Sequence, residues 1–131
     1  MCQNVEFSPP VWNEAGGRKH RRTGIRCKKL WDRSLLVAVT AQPNEPAVYD
    51  PNLTMHEIRE MEMDCVLRGM GMALPQRVPH VRRFYRVFDR AIGASNGEKT
   101  ECILVQYNSD GAVHGYPVTR EYLRKRGASD V

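Results

Sequence analysis

Residues 80–92 read HVRRFYRVFDRAI, and the period assigned to them decides what the core is built from. At 100° per residue, Val81, Phe84, Tyr85, Val87, Phe88, Ala91 and Ile92 fall in one continuous arc. Arg82, Arg83, Arg86, Asp89 and Arg90 fill the other. The expected element is an amphipathic helix, entered at Pro79 and stopped at Gly93. A strand would set Arg86 on the same face as Phe84 and Phe88, which fits less well, although the aromatic content keeps a strand open.

On the N-terminal side, residues 69–79 read as a loop, and before them a helix is well signalled. Thr54 and Glu57 make a T-x-x-E capping box. Met55, Ile58, Met61, Cys65 and Val66 then recur at helical spacing up to Gly69. Glu57, Glu60, Asp64 and Arg68 form the outer face, and Glu60, Glu62 and Asp64 read as solvated acids rather than a catalytic pair. The Met-rich face suits core packing and is also compatible with a homo-oligomer interface. Pro43, Pro46 and Pro51 make 42–53 a stiff connector. Leu35 to Thr40, LLVAVT, reads as a short buried strand.

On the C-terminal side, Thr100–Tyr107 and Ala112–Val118 flank Asn108-Ser109-Asp110-Gly111, the chemistry of a hairpin turn. Pro117 suggests a strand end or sheet edge. Thr119 caps a last short helix, Arg120 to Arg126, closed by Gly127. The fold class is therefore α+β: a small antiparallel sheet, made of the C-terminal hairpin and an N-terminal strand, packed by two or three helices. Residues 1–34 are expected as a basic, partly ordered N-terminal segment, and 35–131 as a single α+β domain.

The whole chain has 131 residues and a net charge of +5, the size of one ordinary domain and too short for a barrel enzyme of ~250 residues. The charge is segregated. Residues 1–40 carry eight Lys or Arg against three acids, 41–76 two against six, and 77–131 ten against six. Cys2, Cys27, Cys65 and Cys102 contain no CxxC pair, which suits reduced thiols and a cytoplasmic protein. No stretch approaches the ~20 apolar residues of a membrane helix.

The basic clusters give the first functional expectation, a non-catalytic nucleic-acid-associated module for RNA or DNA. Arg82, Arg83, Arg86 and Arg90 would project from one helix face. Lys28 and Lys29, with Arg124, Lys125 and Arg126, would clamp the phosphate backbone. The competing expectation is intramolecular pairing of that Arg face with Glu57, Glu60 and Asp64. An interaction module of inhibitor, immunity or adaptor type, set against an acidic protein, is the second reading. The third is a small metal-free ribonuclease using His114, Tyr116 and Arg120, with His80 or His20 as a second acid or base. His20, His56, His80 and His114 have no ligand spacing to the cysteines, and Gly69-x-Gly71 follows a helix rather than a strand. No metal and no cofactor are expected.

Overall fold

The structure, a computed structural model, describes residues 5–68, 70–128, 130 and 131. In chain order the elements are β1 (Val11–Trp12), α1 (Glu14–Lys19), α2 (Ile25–Asp32), α3 (Leu35–Val39) and β2 (Val48–Tyr49). There follow α4 (Met55–Leu67), β3 (Met72–Ala73), β4 (Val81–Val87), β5 (Gly93–Ser95) and β6 (Glu98–Thr100). The chain ends with β7 (Cys102–Asn108), β8 (Ala112–Val118) and α5 (Arg120–Lys125). The α+β class is what the sequence implies. The main sheet has the order β1-β8-β7-β4-β3, and a second sheet has the order β2-β5-β6. Pairing is antiparallel except between β1 and β8, which run parallel.

The hairpin β7–β8 forms where the sequence placed it. Gly111, at φ 99°, closes the turn, and its N–H donates to Asn108 O at 2.9 Å. The helix expected over 80–92 is instead β4. All seven of its residues pair with β7, from Val81 opposite Asn108 to Val87 opposite Cys102. Strand alternation does put Arg82, Phe84 and Arg86 on one face. The conflict is relieved by stacking: the Arg82 guanidinium lies 4.0 Å from the Phe7 ring centre, and that of Arg86 lies 4.5 Å from Phe88.

The strand expected over 35–40 is the helix α3. Its backbone bonds run within the helix, and Thr40 Oγ1 donates back to Val37 O at 2.6 Å. Leu36 and Val37 pack on Trp31, Val48 and Ala94 over the smaller sheet.

α4 has both halves of its capping box, with Glu57 N–H donating to Thr54 Oγ1 and Thr54 N–H to Glu57 Oε1. It lies on one face of the main sheet. Ile58, Met63 and Cys65 bury against Ile103, Val105, Tyr107 and Val113. The opposite face packs Tyr85, Cys102, Leu104 and Val118 against Leu74, Leu123 and Ala128, so α5 covers one end of that face. Glu62 corrects the reading of α4 as acid-outward: it is fully buried beneath the sheet. Among the described residues no helix is long and apolar enough to cross a membrane.

Candidate functional site

A cleft of about 400 Å³ opens where α1 meets β8, beside Pro46–Ala47 and Ser95–Asn96. Lys19, His20, His114, Tyr116 and Tyr122 are among its lining residues, and none of the lining residues is acidic.

His20 follows α1 directly and is only 8% exposed. Segment 47–49 holds it on two sides. Tyr49 N–H donates to His20 O at 2.7 Å, and the imidazole Nδ1 lies 2.8 Å from Ala47 O. A carbonyl oxygen only accepts, so Nδ1 carries the proton, and the neutral ring presents a free lone pair at Nε2. Burial pushes the His20 pKa below 6.5. The positive charge of Lys19 and the neighbouring His114 act in the same direction, while the bond to Ala47 opposes them.

His114 and Tyr116 alternate along β8 and share the face away from α4. The Tyr116 ring stacks on His20 with centres 5.5 Å apart and stands 6.2 Å from His114. Its hydroxyl is 3.4 Å from that of Tyr122, whose ring in turn carries the Arg126 guanidinium at 3.4 Å. Burial and Lys19 lower the His114 pKa. Burial, followed by the bond to Tyr122, raises that of Tyr116, and the charges of Arg126 and Arg83 work against the rise. Both histidines therefore favour the neutral form, and Tyr116 stays a hydroxyl donor.

Two glycines bring the walls together. Asn13 Oδ1 caps α1 by accepting from Gly16 N–H at 3.1 Å. A Cβ at Gly16 would lie 3.0 Å from His114 Cβ, and one at Gly17 would lie 2.5 Å from Trp12 Cζ2. A helix containing Gly-Gly has poor propensity, but here it packs backbone directly on the histidine. Beneath β8, the buried Glu62 carboxylate accepts from Gly115 N–H (2.6 Å), Trp12 Nε1–H (3.0 Å) and Tyr49 O–H (2.5 Å). Gly115 separates His114 from Tyr116, so this carboxylate fixes the strand between the two cleft residues. Burial raises the Glu62 pKa, and the three donors oppose it.

Of the trio His114, Tyr116 and Arg120, the first two meet in the cleft and the third does not. Arg120 binds Glu101 Oε1 through both Nε and Nη2, at 2.9 and 2.6 Å. Of the two further histidines, His20 joins the cleft. His80 is exposed, with its Nδ1 3.3 Å from Ser109 Oγ.

The four arginines of 82–90 do not form one row. Arg82 and Arg86 lie on the α4 side, Arg83 on the opposite face, and Arg90 beyond the strand. Among the described residues no ion pair involves any of the four, although Arg90 is close enough to help hold the Glu57 carboxyl down. Lys28 and Lys29 are exposed on α2, whose Trp31 packs over the smaller sheet. Arg124 donates to Val131 O at 2.5 Å, and Lys125 pairs with Glu121 at 3.2 Å. Only Arg126 of that cluster reaches the cleft's tyrosines.

Lys19 and Tyr122 were not singled out as site residues by sequence reading, and Glu62 was read as a solvated acid. No local signal marks them, because each gains its role from strands and helices distant in the chain. Comparison with protein-family models, curated proteins and solved structures finds no match to this chain.

Proposed function

We propose that the protein cleaves RNA by acid–base transesterification in the cleft between α1 and β8. The observation that carries this reading is the fixed tautomer of His20, stacked on Tyr116 and facing the same cleft as His114. His20 Nε2 accepts the proton of the ribose 2′-hydroxyl. O2′ attacks phosphorus, the P–O5′ bond breaks, and O5′ takes a proton from His114. The products are a 2′,3′-cyclic phosphate and a 5′-hydroxyl end. No water or other co-reactant enters this step.

The roles divide by environment. His20 is the more buried ring and is bonded at Nδ1, so it presents one defined lone pair. His114 is only partly buried, and an arriving phosphate raises its pKa and loads it with the proton it must give. Tyr116 O–H and the Lys19 ammonium act on the non-bridging oxygens, where negative charge grows.

Single-stranded RNA incubated with the protein is expected to yield fragments ending in cyclic phosphate, read by mass spectrometry. DNA of the same sequence stays intact, because it lacks the nucleophile. His20→Ala and His114→Ala each lower the rate ~10²–10⁴-fold. Intact RNA with the wild type, or wild-type rates in both variants, removes the reading.

A further inference from the structure

The five-stranded sheet has a face that α5 covers only in part. At the covered end, Cys102, Leu104 and Val118 are fully buried or nearly so. At the other end, register aligns Arg83, Gln106 and His114 in one row across β4, β7 and β8, and Val81 with Asn108 in the next. Each of these five side chains is partly exposed. The row ends at His114, and so at the wall of the cleft. Residues 75–80 border it on the β4 side, where Arg83 Nη2 donates to Pro75 O at 3.3 Å. On the β8 side it is bordered by α1, through Gly16.

Three cations act on the cleft end of this face. Lys19 acts on both cleft histidines, and Arg83 and Arg126 act on Tyr116. Of the carboxylates at its ends, Asp110 accepts Ala112 N–H at 3.0 Å and Asp130 accepts the Tyr85 hydroxyl at 2.7 Å. The acidic helix α4 lies on the opposite face of the sheet. A row of amide and guanidinium groups, flanked by three cations and leading to two histidines, is complementary to a flexible polyanion that offers hydrogen-bonding edges.

We infer that the Arg83–Gln106–His114 row is the path of the RNA strand into the cleft, with Lys19, Arg83 and Arg126 on its phosphates and Gln106 hydrogen-bonding a base or ribose. The inference rests on the RNA reading of the cleft, and binding separates it from catalysis. A fluorescent single-stranded 2′-O-methyl RNA cannot be cut by this chemistry, and its affinity is measured between about 50 and 200 mM salt.

Each phosphate neutralised on a single strand contributes ~0.7 to the slope of log K against log salt, so three cations give a slope near about −2. Arg83→Ala is expected to make the slope shallower by ~0.7 and to weaken binding about fivefold at 0.1 M salt. Arg83→Lys restores the slope. Gln106→Ala weakens binding with the slope unchanged. Arg86→Ala, on the opposite face, and Lys28→Ala, on α2, leave both unchanged.

The path is overturned if the wild type fails to bind at the lowest salt. It is also overturned if Arg83→Ala keeps the full slope, or if Arg86→Ala or Lys28→Ala loses as much as Arg83→Ala. Arg83-dependent binding with intact substrate RNA upholds the path while the cleavage reading falls. Cleavage with a slope indifferent to Arg83 does the reverse.

Discussion

Protonation of two imidazoles sets when the proposed cleavage can run. In that mechanism His20 works as a base only above its own pKa, and His114 as an acid only below its own. Both values lie below 6.5 in the free protein, so kcat/KM is expected to peak on the acid side of pH 6.5. The profile of kcat itself shifts upward, because bound phosphate favours the protonated ring. A kcat/KM maximum at pH 8 contradicts the assignment of both rings. The same shifts affect stability. The unfolded chain binds more protons than the folded one just below pH 6.5, so stability falls as pH drops from 6.5 towards the folded values.

Glu62 is a second residue whose environment decides its behaviour. Glu62→Ala strands three buried donors, Trp12 Nε1–H, Tyr49 O–H and Gly115 N–H, and is expected to cost ~3 kcal/mol or more in denaturant unfolding. Glu62→Gln keeps an oxygen for Trp12 and Gly115 and lets Tyr49 turn to accept, so it stays within ~1 kcal/mol of wild type. Reading Glu62 as a solvated acid followed from its neighbours Glu60 and Asp64. An i, i+2 pattern on a helix cannot reveal which member faces a sheet not yet placed. Cys65, with its thiol pushed up to about 12, and the buried Cys102 are expected to resist thiol reagents in the native state. Cys27, which is partly exposed, reacts.

At the scale of elements, what was legible is what is closed locally. The hairpin turn at Asn108–Gly111, the capping box of α4 and the Thr119 cap of α5 each depend on residues within four positions, and all three form as read. β4 was not legible, because VRRFYRV fits a helical arc better than strand alternation until β7 is there to pair with it and the aromatic rings to stack its arginines. α3 is the converse case: LLVAV has strand composition but forms a helix that packs its Leu36 and Val37 on the smaller sheet. Candidate-site geometry is an element-scale property too. Gly16→Ala raises the intrinsic helix propensity of α1 by up to ~1 kcal/mol, yet its Cβ presses on His114 at 3.0 Å. The expected outcome is lowered RNA cleavage with thermal stability retained, read by rate assay and circular dichroism. Gly93→Ala is different in kind. Its Cβ would lie 2.4 Å from Pro117 Cγ and 2.6 Å from Val48 O, and the joint between the two sheets has no room to yield. Loss of several kcal/mol is expected there.

For the whole molecule, the net charge of +5 conceals a division by the main sheet. The acidic middle of the sequence becomes α4 on one face, while Lys19, Arg83 and Arg126 gather on the other side around the cleft and the open row. The expected competition between a free Arg face and an acid-paired one is thus split by the strand itself: Arg90 acts on Glu57, and Arg83 looks away from α4. Residues 7–12 are tied into the main sheet. Phe7 packs on Tyr107, whose hydroxyl donates to Ser8 O at 2.5 Å, and β1 extends the sheet beside β8. A fragment starting at Arg21 loses these contacts together with the Trp12–Glu62 bond. Its urea midpoint is expected to fall well below that of the full chain.

The parallel seam of β1 and β8 also bears on how the protein comes into being. His20 is synthesised 94 residues before His114, and β8, the strand carrying the second imidazole, is the one on which α1 and the first are docked. A growing chain therefore has no assembled cleft before His114 has been made, and neither does any product of termination before that residue. The cleavage proposed for it would then begin only with the closing hairpin, so the order of synthesis itself sets a delay before the two histidines meet.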